Sequence, residues 1–257
     1  MDLNVILAIF VPFFGTLIGS SCVLFTKNSL DHKIKRILSG TAAGVMVAAA
    51  VMCLIERSIE ESESFGNLSF LPVVIGFWLG IIFLIILDKI VHSIHDHDED
   101  DEHNEFSCGY KMVFAMILHN IPEGMALGIM LSSVIADPAS SIAAALPLSI
   151  GIAIHNFPVG AIISLPLHAE GLGKLKSFML GLLVGIIEPI ATIVTMLAAS
   201  VVVPMQPYLL SFAAGAMMYV VVDELIPEMS EGKHSNVVTA FFGLGFTVML
   251  LLEIILG

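Results

Sequence analysis

The sequence predicts an all-α integral membrane protein that crosses the bilayer eight times. Composition is the first observation: 57% of the 257 residues are hydrophobic and only 13% are charged, against about a quarter charged in a soluble domain. The second is distribution. Charges sit in short clusters, and apolar runs of roughly 20 residues lie between them, enough to cross a hydrocarbon core of about 30 Å at about 1.5 Å per residue. The third is the lack of strand-like alternation in segments of roughly 10 residues, which a closed barrel needs. Lipid offers backbone groups no partner, so each run must be helical.

The runs fall at about 3–26, 37–55, 70–91, 110–134, 142–166, 174–202, 207–227 and 236–256. The first has no basic segment before it and exceeds the core of a signal peptide, so it reads as a retained helix. The second follows the cluster Lys33, Lys35 and Arg36. The third leads into residues 92–108, an acidic connection that carries His92, His95, His97 and His103. The fourth and fifth share a motif. The sixth is long, which suggests tilt or an extension beyond the lipid. The seventh gathers Asp223, Glu224 and Glu228 towards its end, with His234 beyond, and the eighth is apolar almost throughout.

Placing both termini outside puts Lys27, Lys33, Lys35, Arg36, Lys89, Lys111, Lys174, Lys176 and Lys233 on the inner side and leaves only Arg57 outside. That bias orients the chain, with residues 92–108 in the cytoplasm. The net charge of −13 argues against a nucleic-acid partner, and the excess is local, because His92 to Glu105 holds seven acidic residues. Cys22, Cys53 and Cys108 are too few and scattered for a disulfide framework, and are expected as packing residues or free thiols.

His119-Asn120-Ile121-Pro122-Glu123-Gly124 in the fourth run recurs as His155-Asn156-Phe157-Pro158-Val159-Gly160 in the fifth, with four identities in six positions. Copies on consecutive, oppositely directed helices are the pattern of inverted repeats in transporters. The motifs and Glu188 of the sixth run all fall near mid-membrane. There, an ionised side chain costs about 2.5–3.5 kcal/mol on insertion scales. No lysine or arginine lies at that depth, so Glu123 and Glu188 need a proton, water or a cation. His119 and Glu123 share a helix face at spacing i, i+4. His155 and Asn156 supply a matching pair. Imidazole with carboxylate and no thiolate suits zinc, iron or manganese. Pro122, Pro158 and Pro189 each remove a helical N–H beside these residues, which frees backbone carbonyls near the ligands.

Taken singly, each residue has an ordinary explanation: a buried His or Asn often only bridges helices. Together, on three helices at one depth, they point to a cation. Met46 of the second run offers a thioether or mere packing. The histidines of 92–108 could gather metal leaving the membrane or lie on a solvated tether. Asp223, Glu224 and Glu228 fit either a polar exit path or snorkelling at a helix end.

With HNIPEG in the fourth run, HNFPVGAIISLPL in the fifth, GIIEPI in the sixth and FAAGAMMYVVVDELIPE in the seventh, the chain resembles the ZIP (Zrt/Irt-like) family of divalent metal transporters. The AGVM text of the second run points to its GufA-like branch. The resemblance implies a single domain over 1–257, an inverted 3+2+3 repeat, and uptake of zinc, with iron, manganese or cadmium as further cargo. One helix bundle would slide past another in a bacterial plasma membrane, and a homodimer is compatible with this. It assigns His119, Glu123 and His155 to the main site and Asn120, Asn156 and Glu188 to a neighbouring position. Met46 matches the branch's methionine, and Glu224 and His234 match the inner release path. The fifth-helix motif of the family ends Pro-Glu-Gly, and Val159 stands in place of that bridging glutamate, so one bound ion is expected rather than two. The alternatives are an intramembrane metalloenzyme, although the usual H-E-x-x-H pairing is missing, and a metal sensor.

Overall fold

Eight helices long and apolar enough to cross a membrane form in a computed structural model, which describes residues 3–26, 31–96, 105–136, 142–232 and 235–257. They are α1 (Leu3–Phe25), α2 (His32–Glu61), α3 (Phe70–Asp96), α4 (Glu105–Ala136), α5 (Leu146–Ala169), α6 (Lys174–Leu197), α7 (Ala199–Ser230) and α8 (Asn236–Leu256). No strand occurs among the described residues. The last turns of α1, α3, α5 and α7 and the first turns of α2, α4, α6 and α8 lie at one end of the bundle, named here the basic end after Lys33, Lys35, Arg36, Lys174 and Lys176. The start of α1 and the end of α8 lie at the other.

Several boundaries differ from those that hydropathy predicts. Helix α2 extends beyond 37–55 in both directions. Asp31 caps its start by accepting a hydrogen bond from the Lys33 N–H at 2.8 Å, and Glu56–Glu61 continues it past the apolar run. The run 174–202 is broken: α6 stops at Leu197, Ala198 leaves helical geometry at φ −90, ψ 16, and α7 starts at Ala199. Both sides of that break are apolar, so hydropathy alone does not register it. Helix α3 continues to Asp96 and α4 begins at Glu105, so the ends of 92–108 are helical.

Two quartets of helices pack through close contacts. Helix α1 lies on α5 and α6, and α4 lies on α6; α2 lies on α8, and α3 on α7. Glycines permit this proximity. A Cβ on Gly15 of α1 would come within 2.1 Å of the Ala153 carbonyl oxygen of α5, and one on Gly80 of α3 within 2.0 Å of that of Phe212 in α7. Between quartets, α2 meets α5 and α4 meets α7. Exchanging α1 with α6, α2 with α7, α3 with α8 and α4 with α5 converts every one of these pairs into another observed pair or itself. Helices α2 and α7 also share a π-helical stretch, Ala49–Ile55 in one and Val221–Leu225 in the other.

Polar side chains close gaps in the helices. Pro12 deprives the Ala8 carbonyl of its helical donor, and Ser149 Oγ of α5 donates to that carbonyl instead at 2.7 Å. Lys174 Nζ donates to the Leu24 carbonyl at the end of α1 at 3.1 Å, where a cation also suits the helix dipole. The main apolar core includes Met46, Leu54, Leu127, Met130, Leu131, Leu148, Ile152, Leu210 and Met217. Most of it lies between the motif residues and the terminal end.

Candidate metal site

The two motifs meet where α4, α5 and α6 come together. His155 Nε2 lies 3.3 Å from Glu123 Oε1, with both side chains almost wholly buried. Asn156 Nδ2 donates to Glu188 Oε1 and Oε2, each at 2.7 Å, and to the Pro12 carbonyl of α1 at 3.2 Å. Glu123 and Glu188 are both buried, on helices whose backbones touch beside them, a Cβ on Gly124 lying 2.5 Å from the Glu188 carbonyl oxygen. Buried carboxylates need a proton, hydrogen-bond donors or a cation. Asn120 plays a different part, donating from Nδ2 to the Val184 carbonyl of α6 at 3.1 Å.

Several donor atoms here remain unused. Glu123 Oε2, His155 Nδ1 and Asn156 Oδ1 are buried without a hydrogen-bond partner. Leaving such groups unpaired costs about 1–3 kcal/mol each, so these atoms suit a polar or cationic partner. Oxygen and imidazole nitrogen are the ligands that zinc accepts.

His119 is not gathered with them. Its Nδ1 lies 3.0 Å from Glu224 Oε1 of α7, at ion-pair distance though without hydrogen-bond geometry. Among the described residues, no three His, Cys, Asp or Glu side chains are arranged to hold one metal ion. Glu123, His155, Asn156 and Glu188 therefore come together, while His119 and Glu224 form a separate pair nearer the basic end. Met46 is buried in the apolar core of α2 rather than paired with either group. Side-chain exposure rises along this line, from 3% at Glu123 and 4% at His155 to 12% at His119 and 32% at Glu224.

Asp88 of α3 escaped the sequence reading. With Leu84, Leu87, Ala115 and Leu118 it lines a small cavity beside His119. An acid next to Lys89 at the end of an apolar run looks like an ordinary helix end, so only its neighbour reveals it. Val159 sits in an apolar cluster with Val113, Ile163, Leu167, Leu172 and Val184. Glu228 turns away from the exit line: its carboxylate lies 2.6 Å from Lys35 Nζ and accepts from Ser39 Oγ. Cys22 and Cys53 are free thiols. His97, His103 and His234 lie outside the described residues, as do the side chains of His92, His95 and Cys108.

A family model described as ZIP zinc transporter matches residues 2–111 and 95–253. The chain is 29% identical over 317 residues to zinc transporter ZIP11 of Xenopus tropicalis, covering 95% of this chain and 94% of that protein. It is 33% identical over 198 residues to zinc transporter GufA of Myxococcus xanthus, covering 75% and 74%. To zinc transporter ZIPB of Bordetella bronchiseptica it is 28% identical over 250 residues, covering 95% and 79%. Eight apolar helices with buried imidazole, amide and carboxylate groups at their centre agree with these matches, and the chain belongs to the ZIP zinc transporter family.

Proposed function

We propose that this protein carries zinc into the cytoplasm across a bacterial plasma membrane, with iron, manganese and cadmium as further cargo. Glu123, His155, Asn156 and Glu188 form the resting half of the cargo site, and His119 and Asn120 complete it as the ion passes. Met46 stands by as a thioether ligand from α2. The single observation that carries this reading is the buried Glu123–His155 pair on α4 and α5. Glu188 is buried as well, held by Asn156, and Glu123 Oε2 and His155 Nδ1 are unpartnered. Helix α5 holds no lysine or arginine, and those of α4 and α6 lie near the basic end. A divalent ion neutralises both charges at once.

The positive-inside bias makes the basic end cytoplasmic. Exposure rises from Glu123 towards Glu224 on that side, while Leu127, Met130, Leu131 and Leu148 fill the other. The conformation therefore releases cargo inward through His119, Glu224 and the neighbouring Asp88. Alternating access follows from movement of α1, α4, α5 and α6 against α2, α3, α7 and α8. Within a quartet, helices touch backbone to backbone. Between them, Gly151 of α5 faces the thioether of Met249 in α8, with a Cβ placed 2.4 Å from its Sδ, and a flexible side chain yields more easily than a backbone. No observation favours a metalloenzyme or a sensor.

Uptake into proteoliposomes of the purified protein tests the reading, with zinc, iron, manganese and cadmium compared and a His119→Ala/Glu123→Ala double variant as control. Uptake that disappears in the variant supports it. Metal binding by the native protein without movement of any ion defeats it.

A further inference from the structure

The last turn of α7 is weakly held by its own helix. The π-helical stretch Val221–Leu225 precedes it, and it is only five residues long, Ile226–Ser230. Pro227 offers no N–H to the turn before. Helix α2 supplies what is missing. His32, Lys35, Arg36 and Ser39 share one of its faces at spacings i, i+3, i+4 and i+7, and all four grip this turn and the residue after it. His32 Nε2 lies 3.0 Å from Glu231 Oε2, and Arg36 Nε donates to the Met229 carbonyl at 3.1 Å. Glu228 takes the two central contacts, with Lys35 Nζ at 2.6 Å and with the fully buried Ser39 through its hydroxyl.

Glu228 follows Glu224 by four residues, about one turn nearer the end of α7, and meets α2 where Glu224 meets α4. Glu224 makes the ion-pair contact to His119 across the boundary between quartets. We infer that Glu228, clamped by Lys35 and Ser39, is a positioning residue for transport, fixing the last turns of α7 so that Glu224 stays presented to His119 while the other quartet moves. This rests on the reading of His119 and Glu224 as the inward release path. π-Helical stretches frequently occur at functional sites, and here the turn that follows one is the turn held by α2. Glu228 itself does not touch the cargo. Its carboxylate is already paired with the Lys35 ammonium and accepts a hydrogen bond from the Ser39 hydroxyl.

The test is zinc uptake by proteoliposomes as a function of zinc concentration, normalised to folded protein. The variants are Glu228→Gln, Glu224→Gln, the two combined, and the charge-swapped Lys35→Glu/Glu228→Lys. Expected for Glu228→Gln is a maximal rate about fivefold lower, as for loss of one charged hydrogen bond in a partly exposed pair, with the half-saturating concentration unchanged within about twofold. The charge-swapped protein should recover most of the rate. In the Glu224→Gln background, Glu228→Gln should cause no further loss, because it acts through Glu224. Losses that multiply in the combined variant overturn the proposal and leave the release path standing. So does a Glu228→Gln protein that only melts earlier while transporting normally. Full uptake by Glu224→Gln overturns the release path itself, and the proposal with it.

Discussion

The two copies of the His-Asn-x-Pro-x-Gly motif share a sequence but not a task. In both, the asparagine donates to a backbone carbonyl of the neighbouring helix, Asn120 to Val184 of α6 at 3.1 Å and Asn156 to Pro12 of α1 at 3.2 Å. In both, the final glycine lets a helix backbone approach. The copies part at the fifth position. Glu123 of α4 faces His155 in a polar centre, whereas Val159 of α5 is enclosed by Val113, Ile163 and Leu167. They part again where Asn156 reaches the Glu188 carboxylate as well. Under the exchange Glu188 of α6 corresponds to Thr16 of α1, because Gly124 abuts the carbonyl of one and Gly160 that of the other, so only one of the two positions carries a carboxylate. A symmetric scaffold thus carries an asymmetric charge, with a carboxylate at the fifth motif position of α4 and none at that of α5.

The largest test of this contrast is transport. Glu123→Ala should lower zinc uptake by about 100-fold or more, a loss of about 2.7 kcal/mol in the transport barrier, while Val159→Ala should stay within about twofold. Equal losses in liposome uptake would mean that the fifth position serves transport alike in both copies. Next comes Val159→Glu, which places a carboxylate among apolar side chains at a cost of about 2.5–3.5 kcal/mol. Its metal-free form should melt earlier than the native protein, and added zinc should reverse this by occupying a second position. Metal counting should rise from one ion per chain to two. Two ions in the native protein would remove the contrast.

A smaller difference separates the asparagines. Asn156→Leu strips a donor from a buried carboxylate and should cost about 1.5–3 kcal/mol, while Asn120→Leu loses a neutral bond worth about 0.5–1.5 kcal/mol. Unfolding in detergent should rank them in that order, and the reverse ranking would place the buried charge elsewhere. No contrast is expected at the glycines. A Cβ on Gly124 would meet the Glu188 carbonyl oxygen at 2.5 Å, and one on Gly160 that of Thr16 at 2.4 Å. Gly124→Ala and Gly160→Ala should therefore destabilise alike, by about 1–3 kcal/mol each, and a clear inequality would show that the repeat packs less symmetrically than the backbone suggests.

Much of this was legible in the sequence, because lipid simplifies the rules. Apolar length alone located eight helices, since a bilayer-spanning backbone has no alternative to internal hydrogen bonds. Intramembrane carboxylates announced Glu123 and Glu188, because a charge at that depth needs a partner. The helix break at Ala198 lay hidden between two equally apolar stretches. Asp88 looked like the polar end of α3 until its cavity with His119 was seen. Glu228 looked like part of an acidic exit, and only the proximity of Lys35 and Ser39 gives it another task.

The sequence by itself determined the number of spans, the repeated motif and the chemistry of the donor atoms, since hydrophobic length, identity and ligand type are properties of the chain. Partnership was decided by the tertiary structure. Glu123 stands against His155, while His119, one turn away on the same helix, is turned towards Glu224 of the other quartet. Spacing fixes which residues share a helix face, but which neighbour that face meets depends on how eight helices pack, and glycine contacts far along the chain set that packing.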